Sequence, residues 1–115
     1  MNKVMNNQPI GVFDSGLGGL NVLKELRKEL PNEQFIYLGD TKRFPYGNKS
    51  SQAIIDIARD NVNFLLDKDV KMVIIACGTA TSQALEVLQK EFSVPIIGII
   101  EPTVLNLKER IDDLD

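Results

Sequence analysis

Residues 72–79, Met72-Val-Ile-Ile-Ala-Cys-Gly-Thr79, join the most hydrophobic run of the chain to a cysteine, a glycine and a threonine. A continuous apolar run of this length predicts a strand that is covered on both faces, as in the middle of a parallel sheet. Thr79 or Thr81 then begins a predicted helix that extends to about residue 92. A buried strand that leads directly into a helix is typical of an α/β fold.

The same alternation of short apolar runs and helical periods extends in both directions from this segment. Further strands are predicted over residues 9–13, 35–38 and 94–100, and further helices over residues 18–30, from Ser50 or Ser51 to Leu66, and from Pro102 onward. The order βαβαβαβα predicts a single α/β domain over residues 1–115. We expect a four-stranded parallel sheet with helices on both faces and the flavodoxin-like strand order 2-1-3-4.

The composition excludes several classes of protein. The 115 residues are 43% hydrophobic and 25% charged, with one cysteine and no histidine. Histidine-based catalytic triads, histidine metal sites and an intramolecular disulfide are therefore excluded within one chain, and we expect no metal. A net charge of −3 without a basic patch argues against nucleic-acid binding. No apolar run reaches the roughly 18 residues that span a bilayer, and residues 1–8 are too polar for a signal peptide, so we expect a cytoplasmic protein and no membrane partner.

Small or polar residues follow each predicted strand. In open α/β sheets, ligands bind beyond the carboxyl ends of the strands, where the strand order reverses. With the order 2-1-3-4, this point lies between the first and third strands, so Asp14 and Cys77 become neighbours. The four strand ends are Asp14-Ser15-Gly16, Gly39-Asp40-Thr41, Cys77-Gly78-Thr79 and Glu101-Pro102-Thr103.

The residues at this predicted crevice each allow two interpretations. Cys77 precedes a helix, whose positive end would stabilise a thiolate, but a lone cysteine is also a small buried hydrophobe. Asp14 could cap a helix or could accept the thiol proton as part of a relay. The glycines of residues 16–19 could bring backbone N–H groups to an anion or could simply form a tight turn, since their spacing is not a nucleotide-binding fingerprint.

The loop after the second strand carries two aromatics and several charges. Tyr46 and Gly47 could close over a ligand with a phenol donor and a backbone N–H, or Tyr46 could pack its own loop against the domain. Asp40, Lys42 and Arg43 are expected to form solvated surface contacts of little energetic value.

Four motifs together resemble one family. They are Gly11-Val-Phe-Asp-Ser-Gly-Leu-Gly-Gly-Leu20, Gly39-Asp-Thr-Lys-Arg-Phe-Pro-Tyr-Gly47, Ile74-Ile-Ala-Cys-Gly-Thr-Ala-Thr81 and Pro95-Ile-Ile-Gly-Ile-Ile-Glu-Pro102. In this order they resemble the bacterial glutamate racemases of the aspartate/glutamate racemase superfamily, along nearly the whole chain. The resemblance implies interconversion of L- and D-glutamate without a cofactor, which supplies D-glutamate for peptidoglycan.

The resemblance also implies roles for particular residues. Racemisation removes the α-proton on one face of the substrate and returns a proton on the other, so two groups alternate as base and acid. Cys77 would be one of two catalytic cysteines, and Asp14 would act beside it. The residues implied to contact substrate are Asp14, Ser15, Tyr46, Gly47, Gly78 and Thr79.

Two departures from the family qualify these expectations. Gly78 stands where the family commonly has asparagine, so an amide that would hold the substrate is missing. Family members are also about twice as long and carry their second cysteine, in a Gly-Cys-Thr-His motif, in a second domain. We therefore expect this chain to be equivalent to the N-terminal half and to be inactive alone. The alternatives are a non-catalytic glutamate-binding or interaction module, and a homodimer in which two Cys77 thiols face one ligand.

Overall fold

The computed structural model describes residues 7–15, 19–43 and 45–99. Within them, strands and α-helices alternate, and two short 3-10 helices, Thr41–Arg43 and Tyr46–Asn48, follow the second strand. The elements are β1 (Ile10–Asp14), α1 (Gly19–Glu29), β2 (Phe35–Gly39), α2 (Ser51–Leu66), β3 (Met72–Ile75), α3 (Gly78–Glu91) and β4 (Ile96–Gly98). The helix predicted from Pro102, and the strand end at residues 101–103, lie outside the described residues.

The four strands form one parallel sheet in the order β2-β1-β3-β4. The predicted fold class and strand order are therefore confirmed. Every residue of β1 and of β3 is buried, whereas the residues of β2 are only partly buried. This difference follows from position, because β1 and β3 are the inner strands and β2 is an edge.

Side chains alternate along the strands and build a core on each face of the sheet. The first core contains Phe13, Val73 and Ile75 together with the apolar faces of α2 and α3. The second core contains Val12 and Ile74 together with residues of α1. Among the described residues, one helix thus covers one face of the sheet and two helices cover the other, as predicted for a doubly wound layer.

Helix α2 begins where its sequence provides a cap. The hydroxyl of Ser50 accepts a 3.1 Å hydrogen bond from the backbone N–H of Ala53, which fixes Ser50, rather than Ser51, as the N-cap. Helix α3 begins at Gly78, one residue before the earliest predicted start, and Cys77 occupies its N-cap position. The strand end and the helix start are therefore separated by only two residues on this side of the sheet.

Gly98, in the last described strand, allows α3 to approach the sheet closely. A Cβ atom at Gly98 would lie 2.4 Å from Thr81 Cγ2, a distance at which atoms of the helix would have to move. Because α3 lies so close to β4, only a residue without a side chain fits at position 98 without a shift of Thr81.

Candidate active site

The carboxyl ends of β1 and β3 meet at one edge of the sheet. Phe13 pairs with Ile75, and the next amide of β3, Ala76 N–H, donates a 2.8 Å hydrogen bond to the Phe13 carbonyl. The residues that follow, Asp14 on one strand and Cys77 on the other, are therefore on neighbouring chains at the point where the strand order reverses. The switch point lies where the sequence pattern predicted it.

Cys77 lies at the N-terminus of α3 and is buried. Its backbone is extended, with φ −121° and ψ 122°, and its carbonyl accepts the first bond of the helix from Thr81 N–H at 2.9 Å. The side chain is 9% exposed and packs in the first core, which also contains Phe13 and Ala80. Both interpretations of the sequence agree with this position, because Cys77 is a buried small residue and also lies at the positive end of a helix dipole.

Asp14 is fully buried and is bonded to a tyrosine on the adjacent strand. The Tyr37 hydroxyl donates to Asp14 Oδ2 at 2.9 Å. Burial, followed by the hydrogen bond to Asp14 and the charge of that carboxylate, raises the pKa of Tyr37 to about 12. Tyr37 therefore remains a protonated donor at neutral pH.

The side chains of Asp14 and Cys77 belong to opposite faces of the sheet by strand alternation. Asp14 has the same parity as Val12, which lies in the second core. Cys77 has the same parity as Ile75 and packs in the first core. The two residues share an edge of the sheet, and a direct proton relay between their side chains stays a prediction.

Tyr46 is 2% exposed, and its hydroxyl is directed into the protein. It donates to Asp40 Oδ2 at 2.6 Å and accepts from Asn61 Nδ2 at 3.0 Å. Burial, and then the hydrogen bond and charge of Asp40, raise the pKa of Tyr46 above its ordinary value. The phenol of Tyr46 packs its own loop against the domain, as one of the two interpretations of the sequence describes, and contact of Tyr46 and Gly47 with a substrate stays a prediction.

The expectation that Asp40 and Arg43 form solvated surface contacts is wrong for Asp40. This carboxylate is 7% exposed and accepts from Arg43 Nε at 2.9 Å and from Asn61 Nδ2 at 3.2 Å, in addition to Tyr46. Arg43 also donates to Asn61 Oδ1 and Asp60 Oδ2, at 3.1 Å each. A charge at this depth requires such partners, because an unpaired buried carboxylate is costly.

Sequence reasoning missed Asn61 and Tyr37. Asn61 is a polar residue within the apolar stripe of α2, between Ala58 and Leu65, and this position was a signal of a buried polar contact. Tyr37 was treated only as part of a hydrophobic strand, although a buried tyrosine hydroxyl usually has a partner. Finding that partner requires the register of β1 and β2, which the sequence does not supply.

The remaining predicted contact residues lie at the same edge but differ in exposure. Ser15 is 9% exposed, Thr79 is partly buried in the first turn of α3, and Gly47 and Gly78 are exposed. A Cβ atom at Gly47 or at Gly78 would meet nothing within 4 Å. Of the predicted anion-binding glycines, residues 16–18 lie outside the described residues.

Within residues 7–15, 19–43 and 45–99, no group of three potential ligands among His, Cys, Asp and Glu could hold a metal ion. No helix in the same residues is both long and apolar enough to cross a membrane.

The chain is similar in sequence to known glutamate racemases. A glutamate racemase of Lactococcus lactis subsp. lactis is 54% identical to this chain over 98 residues, which cover 85% of this chain and 36% of the relative. The chain is homologous to part of the glutamate racemases. It spans about 36% of the length of the relatives of that name that it matches. No model of a protein family matches it.

Solved glutamate racemases share the fold. The enzyme of Thermus thermophilus, in complex with β-chloro-D-alanine, is 50% identical with a TM-score of 0.80, covering 85% of this chain and 38% of that one. The enzyme of Francisella tularensis, in complex with D-glutamate, is 47% identical with a TM-score of 0.75, covering 81% of this chain and 36% of that one. The likeness to glutamate racemases expected from the four motifs is thus confirmed in sequence and in fold.

Proposed function

We propose that this chain contributes one half of a glutamate racemase active site, with Cys77 as the group that exchanges the α-proton on one face of glutamate. The observation that carries the proposal is the position of Cys77, at the N-cap of α3 and at the sheet edge where β1 ends with Asp14 and is followed by Ser15. Homology to glutamate racemases, one of them solved with D-glutamate, supports the choice of substrate.

The chemistry requires a base that can also return the proton. In the proposed step, the Cys77 thiolate takes the α-proton, the pair of electrons of the broken C–H bond remains on the substrate, and the resulting thiol can give a proton back to the same carbon. Full inversion needs a second group on the opposite face. The printed chain contains one cysteine, so we expect it to exchange the proton on one face without racemising glutamate.

The negative charge that develops on the substrate must be stabilised by donors already in place. The first N–H groups of α3 have no partner within the helix, and they begin directly after Cys77. The hydroxyls of Ser15 and Thr79 lie at the same edge. We assign the α-carboxylate of glutamate to these donors, the main chain of Tyr46–Gly47 to the closing side, and Asp14 to the movement of the proton with Cys77.

The D-glutamate produced by the complete site would be a precursor of peptidoglycan. Such a precursor is made in the cytoplasm, which we propose as the location of the chain. The proposed chemistry moves only protons and therefore requires neither a cofactor nor a metal.

Exchange of the α-proton in heavy water tests the proposal. Proton NMR follows the α-proton signal of L-glutamate and of D-glutamate in separate samples that contain the chain. Circular dichroism follows the configuration of glutamate in the same samples. We expect loss of the α-proton signal of one enantiomer with its configuration retained, and no exchange with Cys77→Ser or Cys77→Ala. Absence of exchange with both enantiomers, or exchange that survives both substitutions, would refute the role of Cys77.

A glutamate-binding or interaction module without turnover is the second candidate. It is favoured by the single cysteine of the 115 residues, because racemisation needs two groups that exchange a proton. Calorimetric titration with each enantiomer distinguishes the two candidates when it is read with the exchange experiment. Saturable binding without exchange indicates the module, whereas binding with exchange indicates the half-site.

A further inference from the structure

Tyr37 is outside the set of residues that the motifs assign to the site, yet its hydroxyl reaches the fully buried carboxylate of Asp14. The distance from the phenol oxygen to Asp14 Oδ2 is 2.9 Å, and the two residues are 23 positions apart on neighbouring strands. Resting on the proposed function, we infer that Tyr37 is a positioning residue, which holds the Asp14 carboxylate in the orientation needed for proton movement at glutamate.

The register of the two strands shows how the phenol reaches this carboxylate. Tyr37 pairs with Val12, and Asp14 pairs with Gly39, so the ring must extend along β2 past Gly39. A Cβ atom at Gly39 would lie 3.2 Å from the Tyr37 hydroxyl oxygen and 3.3 Å from Cε2 of the ring. Because these distances are tighter than ordinary van der Waals contact, a side chain at Gly39 would press on the phenol. Gly39 therefore leaves the space that the contact between Tyr37 and Asp14 needs.

The phenol acts as a fixed donor rather than as an acid or base. Its pKa is raised to about 12 by burial and by Asp14, so it keeps its proton throughout the neutral range. A donor that bonds to a carboxylate restricts the rotation of that carboxylate. Asp14 is 0% exposed, so solvent does not compete with the Tyr37 hydroxyl for Asp14 Oδ2. Loss of the phenol hydroxyl should therefore disturb Asp14 more than it disturbs the packing of the ring.

Tyr37→Phe removes the hydroxyl and keeps the ring. We expect the rate constant for exchange of the glutamate α-proton to fall about tenfold, as for the loss of a hydrogen bond to a charged group, with a smaller change in the dissociation constant for glutamate. Ile36→Val is the matched control. Ile36 precedes Tyr37 on β2 and packs against the first core, so this variant lowers stability without removing a hydrogen bond.

Three measurements on the 115-residue chain test the inference: α-proton exchange in heavy water, urea unfolding of each variant, and spectrophotometric titration of tyrosine. Slow exchange in Tyr37→Phe with wild-type exchange in Ile36→Val supports it. Asp14→Asn should also lower the pKa of Tyr37 from about 12, because the charge of the carboxylate is removed and an amide oxygen is a weaker acceptor, while burial of the phenol still keeps the pKa above the ordinary value near 10.

The outcomes separate this inference from the proposed function. A wild-type chain that exchanges the proton, together with a Tyr37→Phe variant that exchanges it equally fast, overturns the positioning role alone. Equal slowing in Ile36→Val overturns it too, as does a Tyr37 titration unchanged by Asp14→Asn. A wild-type chain that neither binds nor exchanges glutamate overturns the proposed function and the positioning role with it.

Discussion

The Tyr46 hydroxyl donates a 2.6 Å hydrogen bond to Asp40 Oδ2 in the interior of the protein, where the two residues are 2% and 7% exposed. Asp40 follows β2 directly and Tyr46 begins the second 3-10 helix, so this bond closes the loop between them. Asn61 of α2 donates to both side chains. The loop is thereby fixed to α2 at the same edge of the sheet as Cys77, and its main chain is held where a ligand at that edge would meet it.

Asn61→Asp should destabilise the chain strongly. The substitution replaces an amide that donates to Asp40 at 3.2 Å with a second carboxylate, in a position that is 3% exposed. We expect a loss of about 2–4 kcal/mol in the free energy of unfolding at neutral pH. Urea unfolding at neutral pH measures this loss.

Asn63→Asp is the control for this experiment, because Asn63 is exposed on the same helix. Its effect should stay within about 0.5 kcal/mol. Similar losses for the two variants would contradict the assignment of Asn61 to a buried network.

Neither tyrosine should titrate near pH 10 in the folded chain. The printed sequence has two tyrosines, and the structure raises the pKa of Tyr37 to about 12 and that of Tyr46 above its ordinary value. Ultraviolet absorbance of tyrosinate, recorded immediately after a jump in pH, should show little ionisation at pH 10, whereas the chain unfolded in urea should titrate there. A folded chain with half of its tyrosine ionised near pH 10 would show that one of the two phenol–carboxylate contacts is absent.

The contact of the Tyr37 hydroxyl with Asp14 should also make the free energy of unfolding depend on pH. A pKa raised on folding contributes stability that is fully present below the unfolded value of 10.0 and is lost as the pH rises. For Tyr37, the loss should occur between pH 10.0 and about 12. Tyr37→Phe should therefore flatten the alkaline limb of a plot of unfolding free energy against pH.

The sheet could be predicted from the sequence because its signals are local. The apolar run at residues 72–76 and the helical period of α2 each identify an element without knowledge of its neighbours, and the alternation of elements then favours the order 2-1-3-4. The phenol contacts could not be predicted, because Tyr37 meets Asp14 only in the observed register of β1 and β2. The burial of Asp40 was missed for a related reason, since two of its partners, Tyr46 and Asn61, are separated from it by 6 and 21 positions.

Gly98→Ala should destabilise the chain through one identifiable contact. The added Cβ would lie 2.4 Å from Thr81 Cγ2 and 2.9 Å from Thr81 Oγ1, which forces α3 and β4 apart. We expect a loss of about 1–3 kcal/mol. In the double variant Gly98→Ala with Thr81→Ala, both of these atoms are gone, while Thr81 Cβ stays 3.1 Å from the added Cβ. Part of the loss should therefore be recovered relative to the sum of the two single variants.

Gly78→Ala provides the comparison, because a Cβ at Gly78 meets nothing within 4 Å. Its free energy of unfolding should be unchanged or higher by up to about 1 kcal/mol, since alanine favours the helix. Thermal unfolding of the four variants and the wild type measures these differences. Additive losses for Gly98 and Thr81 would show that the close approach does not limit the packing of α3.

Gly78→Asn should strengthen the binding of glutamate. The resemblance to the racemase family places an asparagine amide at this position, next to Cys77, and a Cβ atom at Gly78 would meet nothing within 4 Å. One added hydrogen bond is worth about 1 kcal/mol, which corresponds to a dissociation constant roughly fivefold lower. Calorimetric titration of Gly78→Asn and Gly78→Ala with D-glutamate separates the amide from the effect of filling the position. Equal dissociation constants for the two variants would show that position 78 does not face the substrate, and a lower constant for the asparagine variant alone would place the ligand at the N-terminus of α3.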